Sequence, residues 1–248
     1  MPKPRTMSLT PDLVALCHRE EADPGPDPTY SKLSDADYRQ LAERLASECD
    51  PDGLWVFAYG SLIWKPEFDA IDKQRATAFG WHRAFSLSIK RWRGSEEQPG
   101  LMMALERGGR CDGVIYRLPD GDRVQQIERM LRREVTYHEG VGSIRWLPVR
   151  AETGHLKALG FWVGVTGERR AEKGEPLEAV ASVLARACGH IGSCAEYLYN
   201  TVSHLEDFGI HDRNLWRLQH LVAHEIHSIH GIEQPSVRGA LVSPSPQS

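Results

Sequence analysis

The chain has 248 residues, 41% of them hydrophobic and 26% charged, which is ordinary globular composition. That length suits one substantial domain with appendages, and a formal net charge of −4 gives no electrostatic case for nucleic acid or an anionic membrane. No apolar run approaches the roughly 18 residues that a membrane span needs, and the opening Pro2, Lys3, Pro4 and Arg5 lack the apolar core of a secretory signal. Five scattered cysteines (Cys17, Cys49, Cys111, Cys188, Cys194) form no C-x-x-C pair, which argues against a disulfide framework and against a cysteine zinc site. A soluble protein of the reducing cytoplasm is expected.

Residues 1–33 are Pro-rich and charged, and Ala22 to Pro28 cannot form regular structure. Ser34 reads as an N-cap, with Tyr38, Leu41 and Leu45 on one face of a helix running to about Glu48. Asp50-Pro51-Asp52-Gly53 ends it, so residues 1–50 are expected to be an extension, partly disordered with one helix, that packs on a core. From 54 to about 165 strand signals dominate: 54–59, a run within 76–89, 101–106, 112–118, 143–150 and 156–165. Gly94 with Pro99-Gly100, Gly108-Gly109 and Ala151-Glu152-Thr153-Gly154 read as the turns between them. Such short connections predict largely antiparallel pairing and a closed or half-closed barrel.

Inside this region lies one helix, opened by Asp122 and Gln125, with Val124, Ile127 and Leu131 at helical spacing. The next position on that seam is Glu134, a carboxylate where the pattern calls for an apolar residue. Burial and the negative end of the helix dipole would both raise its pKa, which suits a general base near neutral pH. A buried ion pair, with Arg83 or Arg93, is the competing reading; the neighbouring Arg133 points about 100° away around a helix. After 165 the chain turns helical. Pro176 and Gly189 bracket one helix, Ser193 with Glu196 opens a second to about Phe208 as a capping box, and Asp212 opens a third to about His230. The expected divisions are therefore 1–50, a domain over 51–230, and a flexible tail over 231–248.

Trp55 to Phe57 form a buried strand that stops at Gly60-Ser61, and a glycine there permits a sharp turn or close approach of backbone to a ligand. Two readings stand: a tight turn only, or a turn whose N–H groups receive an anion. Ser61 lies in no G-x-S-x-G elbow, so a nucleophilic role has no pattern behind it. His220, His224 and His227 lie opposite the apolar face of the last helix, but His224-Glu225-Ile226-His227 is not H-E-x-x-H; no metal site is assigned.

Together these stretches resemble a known family. Phe57-Ala58-Tyr59-Gly60-Ser61-Leu62-Ile63-Trp64 resembles the opening motif of the ChaC-type, glutathione-specific γ-glutamylcyclotransferases. Gly80-Trp81-His82-Arg83-Ala84-Phe85, Arg93-Gly94 with Gln98 to Leu105, Gly113 to Leu118, Arg133-Glu134, and Gly189 to Gly192 leading into Glu196-Tyr197-Leu198 follow in the family's order, over roughly 54–225. The resemblance implies an α+β fold, a small mixed β-barrel with flanking helices, here carrying an N-terminal extension. It implies a lyase without a cofactor that converts glutathione to 5-oxoproline and Cys-Gly by attack of the substrate's own α-amino group. It also implies Glu134 as catalytic general base and acid, with Tyr59, Gly60, Ser61, Leu62 and Tyr197 binding substrate.

The stretch Val135 to Gly142 departs from the family's usual short run to Gly and Tyr, which leaves the leaving-peptide side of the pocket open to other γ-glutamyl amines or peptides. A second alternative is a non-enzymatic cation-transport or metal-related regulator on the same fold. The partner expected is a small molecule, not nucleic acid or a membrane, and no sequence feature specifies an oligomeric state.

Overall fold

The structure is a computed structural model that describes residues 6–51, 53–163 and 175–233. Five strands close a barrel in the order β1-β3-β2-β4-β5: β1 (Trp55–Ala58), β2 (Asp72–Ile89), β3 (Gly100–Arg117), β4 (Ile144–Ala151) and β5 (Gly154–Phe161). All neighbours are antiparallel except β1 and β5, which meet in parallel at Val56 and Leu159 and close the barrel, so the sheet is mixed. Alternation along the strands sends Phe57, Trp81, Leu105, Ile115, Leu147 and Ala158 into the barrel interior.

The two stretches read separately as 101–106 and 112–118 are one strand. β3 pairs with β2 along its whole length, and Gly108-Gly109 is not a turn but a bulge opposite Gly80. All three glycines have positive φ (108°, 73° and 78°), a backbone state that bends the ribbon without ending it. The last strand stops at Phe161, and the expected continuation to 164–165 lies outside the described residues.

Helices cover the outside of the barrel. α1 (Pro11–Ala15) and α2 (Asp35–Glu48) come from the extension, which thus carries two helices rather than one. The missed signal is Thr10, whose side chain caps α1 ahead of Pro11 at the first helical position. Leu9, Leu13 and Cys17 are buried in the same apolar cluster as Leu215, Leu218 and Val222, and each fully buried leucine contributes roughly 1.5–3 kcal/mol. The extension is held by core packing rather than by surface polar contacts alone. α3 (Arg123–Glu134) follows the hairpin, with Asp122 accepting the Gln125 N–H at 3.0 Å. α4 (Leu177–Arg186), α5 (Cys194–Asp207) and α6 (Arg213–His230) follow in turn, with two-residue strands β6 (Cys188–Gly189) and β7 (Gly192–Ser193) between α4 and α5. α6 is capped by Asp212 and ends at Gly231 with φ 64°, as its sequence predicts. Residues 234–248, most of the expected tail, lie outside the described residues. Among the described residues no helix is long and apolar enough to cross a membrane.

Candidate active site

A cavity of about 900 Å³ opens where the turn after β1, the C-terminal end of α3 and the first turn of α5 converge. Tyr59, Gly60, Ser61, Leu62, Glu134 and Tyr197 all line it, so residues up to 138 positions apart in the chain share one wall.

Glu134 is the last residue of α3 and continues the seam formed by the buried Ile127 and Leu131. Its side chain is 21% exposed, and that exposure faces the cavity. Burial raises its pKa above the ordinary glutamate range; Arg133 opposes that shift, and Glu67 adds to it. The separation expected between Arg133 and Glu134 does not hold: Arg133 Nε lies 3.2 Å from Glu134 Oε1. At a helix terminus no following turn confines either side chain, so two long neighbours can curl together. Arg83 and Arg93 have other partners. Arg83 pairs with Asp212 at 3.1 Å, and Arg93 pairs with Glu196 at 2.5 Å.

The turn is held from three sides. Arg83 donates to the Tyr59 carbonyl at 2.9 Å and to the Asp112 carbonyl. Arg133 donates to the Lys65 and Pro66 carbonyls and, at 3.3 Å, to Ser61 Oγ. The Ser61 N–H donates to Tyr197 Oη at 3.1 Å. The serine hydroxyl and amide are therefore both engaged, and no histidine bonds to Ser61 Oγ among the described residues. Among the described residues the Gly60 and Leu62 N–H groups meet no acceptor, so the cradle expected over three amides is open at two. Tyr59 spends its hydroxyl on the Phe161 carbonyl at 2.7 Å, leaving its ring as cavity wall, and the Leu62 side chain is buried.

Tyr197 reaches the turn from α5 with its ring edge-on to Trp64 and Phe85. Burial pushes its hydroxyl up to about 12, with the Ser61 contacts and Arg93 lowering it and Glu134 raising it. It therefore stays protonated at neutral pH and can donate. Gly60 is required by this contact, because a Cβ there would lie 2.8 Å from Tyr197 Oη. The obstacle is the tip of a side chain rather than backbone. Gly60→Ala should therefore displace the tyrosine and leave the fold intact, with loss of the Ser61 bond costing about 1 kcal/mol. We expect a small change in thermal midpoint and about a tenfold fall in catalytic efficiency; unchanged efficiency would show that the contact is incidental.

Arg93 and Glu196 take roles other than those read from sequence, a partner for Glu134 and a capping-box acid, because they pair with each other. Ser193 Oγ accepts the Glu196 N–H at 3.1 Å, but the Glu196 carboxylate binds Arg93 and does not complete a capping box. Arg93 also donates to the Ser193 carbonyl at 2.7 Å, and its guanidinium lies 5.7 Å from the centre of the Trp64 ring and 5.6 Å from that of Tyr197. The Arg-Gly block is thus the base on which Tyr197 is positioned. On α6, His220, His224 and His230 are exposed, with His220 Nδ1 3.1 Å from Ser8 Oγ. Among the described residues no group of three or more His, Cys, Asp or Glu could hold a metal ion.

Residues 54–225 match the family model described as ChaC-like protein. A glutathione-specific gamma-glutamylcyclotransferase of Escherichia coli (strain K12) is 33% identical over 175 residues, covering 71% of this chain and 75% of the relative. Glutathione-specific gamma-glutamylcyclotransferase 1 of Homo sapiens is 29% identical over 185 residues, covering 73% and 80%. The crystal structure of a yeast gamma-glutamyl cyclotransferase specific to glutathione aligns with a TM-score of 0.62 at 22% identity, over 71% of this chain and 98% of that one, which shows a shared fold. The matched span contains the turn, the α3 terminus and the α5 tyrosine, and on it this chain belongs to the ChaC-like protein family.

Proposed function

We propose that this protein is a cyclotransferase that converts glutathione to 5-oxoproline and Cys-Gly, with Glu134 as general base and then general acid. The observation that carries the reading is a desolvated carboxylate on the wall of a cavity, beside a turn with two open N–H groups and a protonated tyrosine. The names of the relatives from Escherichia coli and Homo sapiens support the choice of substrate.

The substrate carries its own nucleophile, so the protein's first task is to fold the γ-glutamyl arm until the α-amine faces the γ-carbonyl. The Gly60 and Leu62 N–H groups receive the α-carboxylate. Glu134 takes a proton from the amine, which is mostly ammonium at neutral pH and loses it near pH 8. An ordinary glutamate is too weak a base for that task, and the loss of water around Glu134 closes part of the gap. The freed amine nitrogen bonds to the γ-carbon and sheds its second surplus proton as the γ-amide C–N bond breaks; the departing nitrogen of Cys-Gly gains both protons, the first by way of Glu134, and leaves as ammonium. No water is consumed and nothing is oxidised or reduced. Tyr197 donates to a substrate oxygen, and Tyr59 walls the glutamyl site. A cytoplasmic setting fits the free cysteines, of which Cys17, Cys111, Cys188 and Cys194 are buried.

Incubation of the wild-type protein with glutathione and, separately, with γ-glutamyl-ε-lysine, followed by assay of 5-oxoproline, tests the reading. Release from glutathione is expected. Release from the lysine compound alone would move the substrate class to γ-glutamyl amines, and release from neither would overturn the cyclotransferase reading.

A further inference from the structure

One residue that lines the cavity lies outside the family match: Tyr30, which belongs to the extension. The extension reaches the cavity by pairing with the chain just after Glu134. The Leu33 N–H donates to the Thr136 carbonyl at 3.2 Å, the His138 N–H donates to the Ser31 carbonyl at 2.9 Å, and Lys32 faces Tyr137 in an antiparallel bridge. The Asp27 N–H donates to Tyr137 Oη at 2.9 Å, and the Tyr30 and Tyr137 ring centres are 5.5 Å apart.

The same segment is fastened on its other side. Asp23 takes two hydrogen bonds from Arg91, each 2.7 Å, at the end of the β2–β3 hairpin. Residues 23–33 therefore bridge the hairpin loop and the loop after α3, beside the cavity. Those paired residues, 136–138, belong to the stretch where the sequence departs from the family's pattern. Departure and extension are two halves of one structure.

We propose that this segment is a substrate-selecting wall, in which Tyr30, seated on Tyr137, contacts the peptide end of the leaving amine. The proposal rests on the cyclotransferase reading. The glutamyl head is assigned to the turn and to Glu134, so the departing amine leaves Glu134 along residues 135–140, and Tyr30 meets what lies beyond its first residue. Tyr30 is thus a specificity residue for the second residue of the leaving dipeptide and takes no part in proton transfer.

Tyr30→Ala should raise KM for glutathione about tenfold, the loss expected of one aromatic face with its contacts, with kcat within about twofold. γ-Glutamylcysteine lacks the glycine, so its inhibition constant, measured in competition with glutathione, should change less than about twofold. Tyr30→Phe should restore the wild-type KM, because the ring and not the hydroxyl forms the wall. Asp23→Asn, which loosens the segment from outside the cavity, should move KM in the same direction by a smaller factor. An unchanged KM in Tyr30→Ala, or equal weakening of both ligands, would overturn the wall while leaving the cyclotransferase reading intact. Absence of 5-oxoproline from the wild type would overturn both.

Discussion

Glu134→Gln should lower 5-oxoproline release from glutathione by about 10²–10⁴-fold, the usual contribution of a positioned acid–base group. Glutamine keeps the shape and cannot take the proton, so KM for glutathione should stay near its wild-type value. The fold should not suffer. Arg133 loses one partner but keeps the Lys65 and Pro66 carbonyls and Ser61 Oγ. Turnover near the wild-type rate would remove Glu134 from the mechanism.

The same variant carries a stability signature with a definite sign. Burial raises the folded-state pKa of Glu134 above its unfolded value, so the proton is held more tightly in the folded protein. The stability linked to that proton is fully present below the unfolded value of about 4.3 and is lost as pH rises through the raised folded value. At neutral pH the wild type therefore bears the cost of a desolvated carboxylate. The glutamine variant should melt above the wild type at pH 7, and its advantage should shrink as pH falls toward 4. A difference independent of pH would contradict the shift. Wild-type catalytic efficiency should show an acid limb at the raised pKa, absent from the residual activity of the variant.

Gly94→Ala should destabilise the protein by about 3 kcal/mol, the upper range for forcing atoms into a closed space. A Cβ at Gly94 would lie 2.3 Å from the Gly100 nitrogen and 2.5 Å from the Ile89 carbonyl oxygen. Both obstacles are backbone of the β2–β3 hairpin and cannot rotate away. Gly189 stacks on the other side, where its own Cβ would meet the Trp92 carbonyl oxygen at 2.3 Å and the Gly94 nitrogen at 2.8 Å. Three backbone segments thus meet without side chains between them, and Arg93 and Tyr197 take their positions from that contact. The expected loss of thermal midpoint is roughly 6–12 °C for a chain of this size. Gly142→Ala is the matched control, because its Cβ would meet nothing within 4 Å; it should melt within about 2 °C of wild type. Equal behaviour of the two variants would contradict the packing argument.

Much of this was legible in one dimension. The apolar strand runs at 54–59 and 112–118, the caps Ser34, Asp122 and Asp212, and the turn at Gly154 are local properties, set by residue type and capping chemistry. Glu134 could be singled out because a carboxylate interrupted an apolar helical seam, a conflict visible without any tertiary knowledge. The bulge at Gly108-Gly109 was not legible. Paired glycines mark a turn and a bulge alike, and only the opposing Gly80 makes it a bulge.

Most of the elements, though not α1, the continuity of β3 or the short β6 and β7, were readable from local sequence, as were the family blocks and the residue on which the proposed proton transfer rests. Tertiary structure alone decided which amides of the Gly60 turn stay open, because the Ser61 amide is taken by a tyrosine 136 positions away. It decided that Glu196 serves Arg93 rather than its own helix, and that Tyr30 comes to stand beside Tyr137 at the cavity. Periodicity and capping act within a few residues, whereas the partner of a long side chain depends on how distant segments are brought together, and no local pattern encodes that choice.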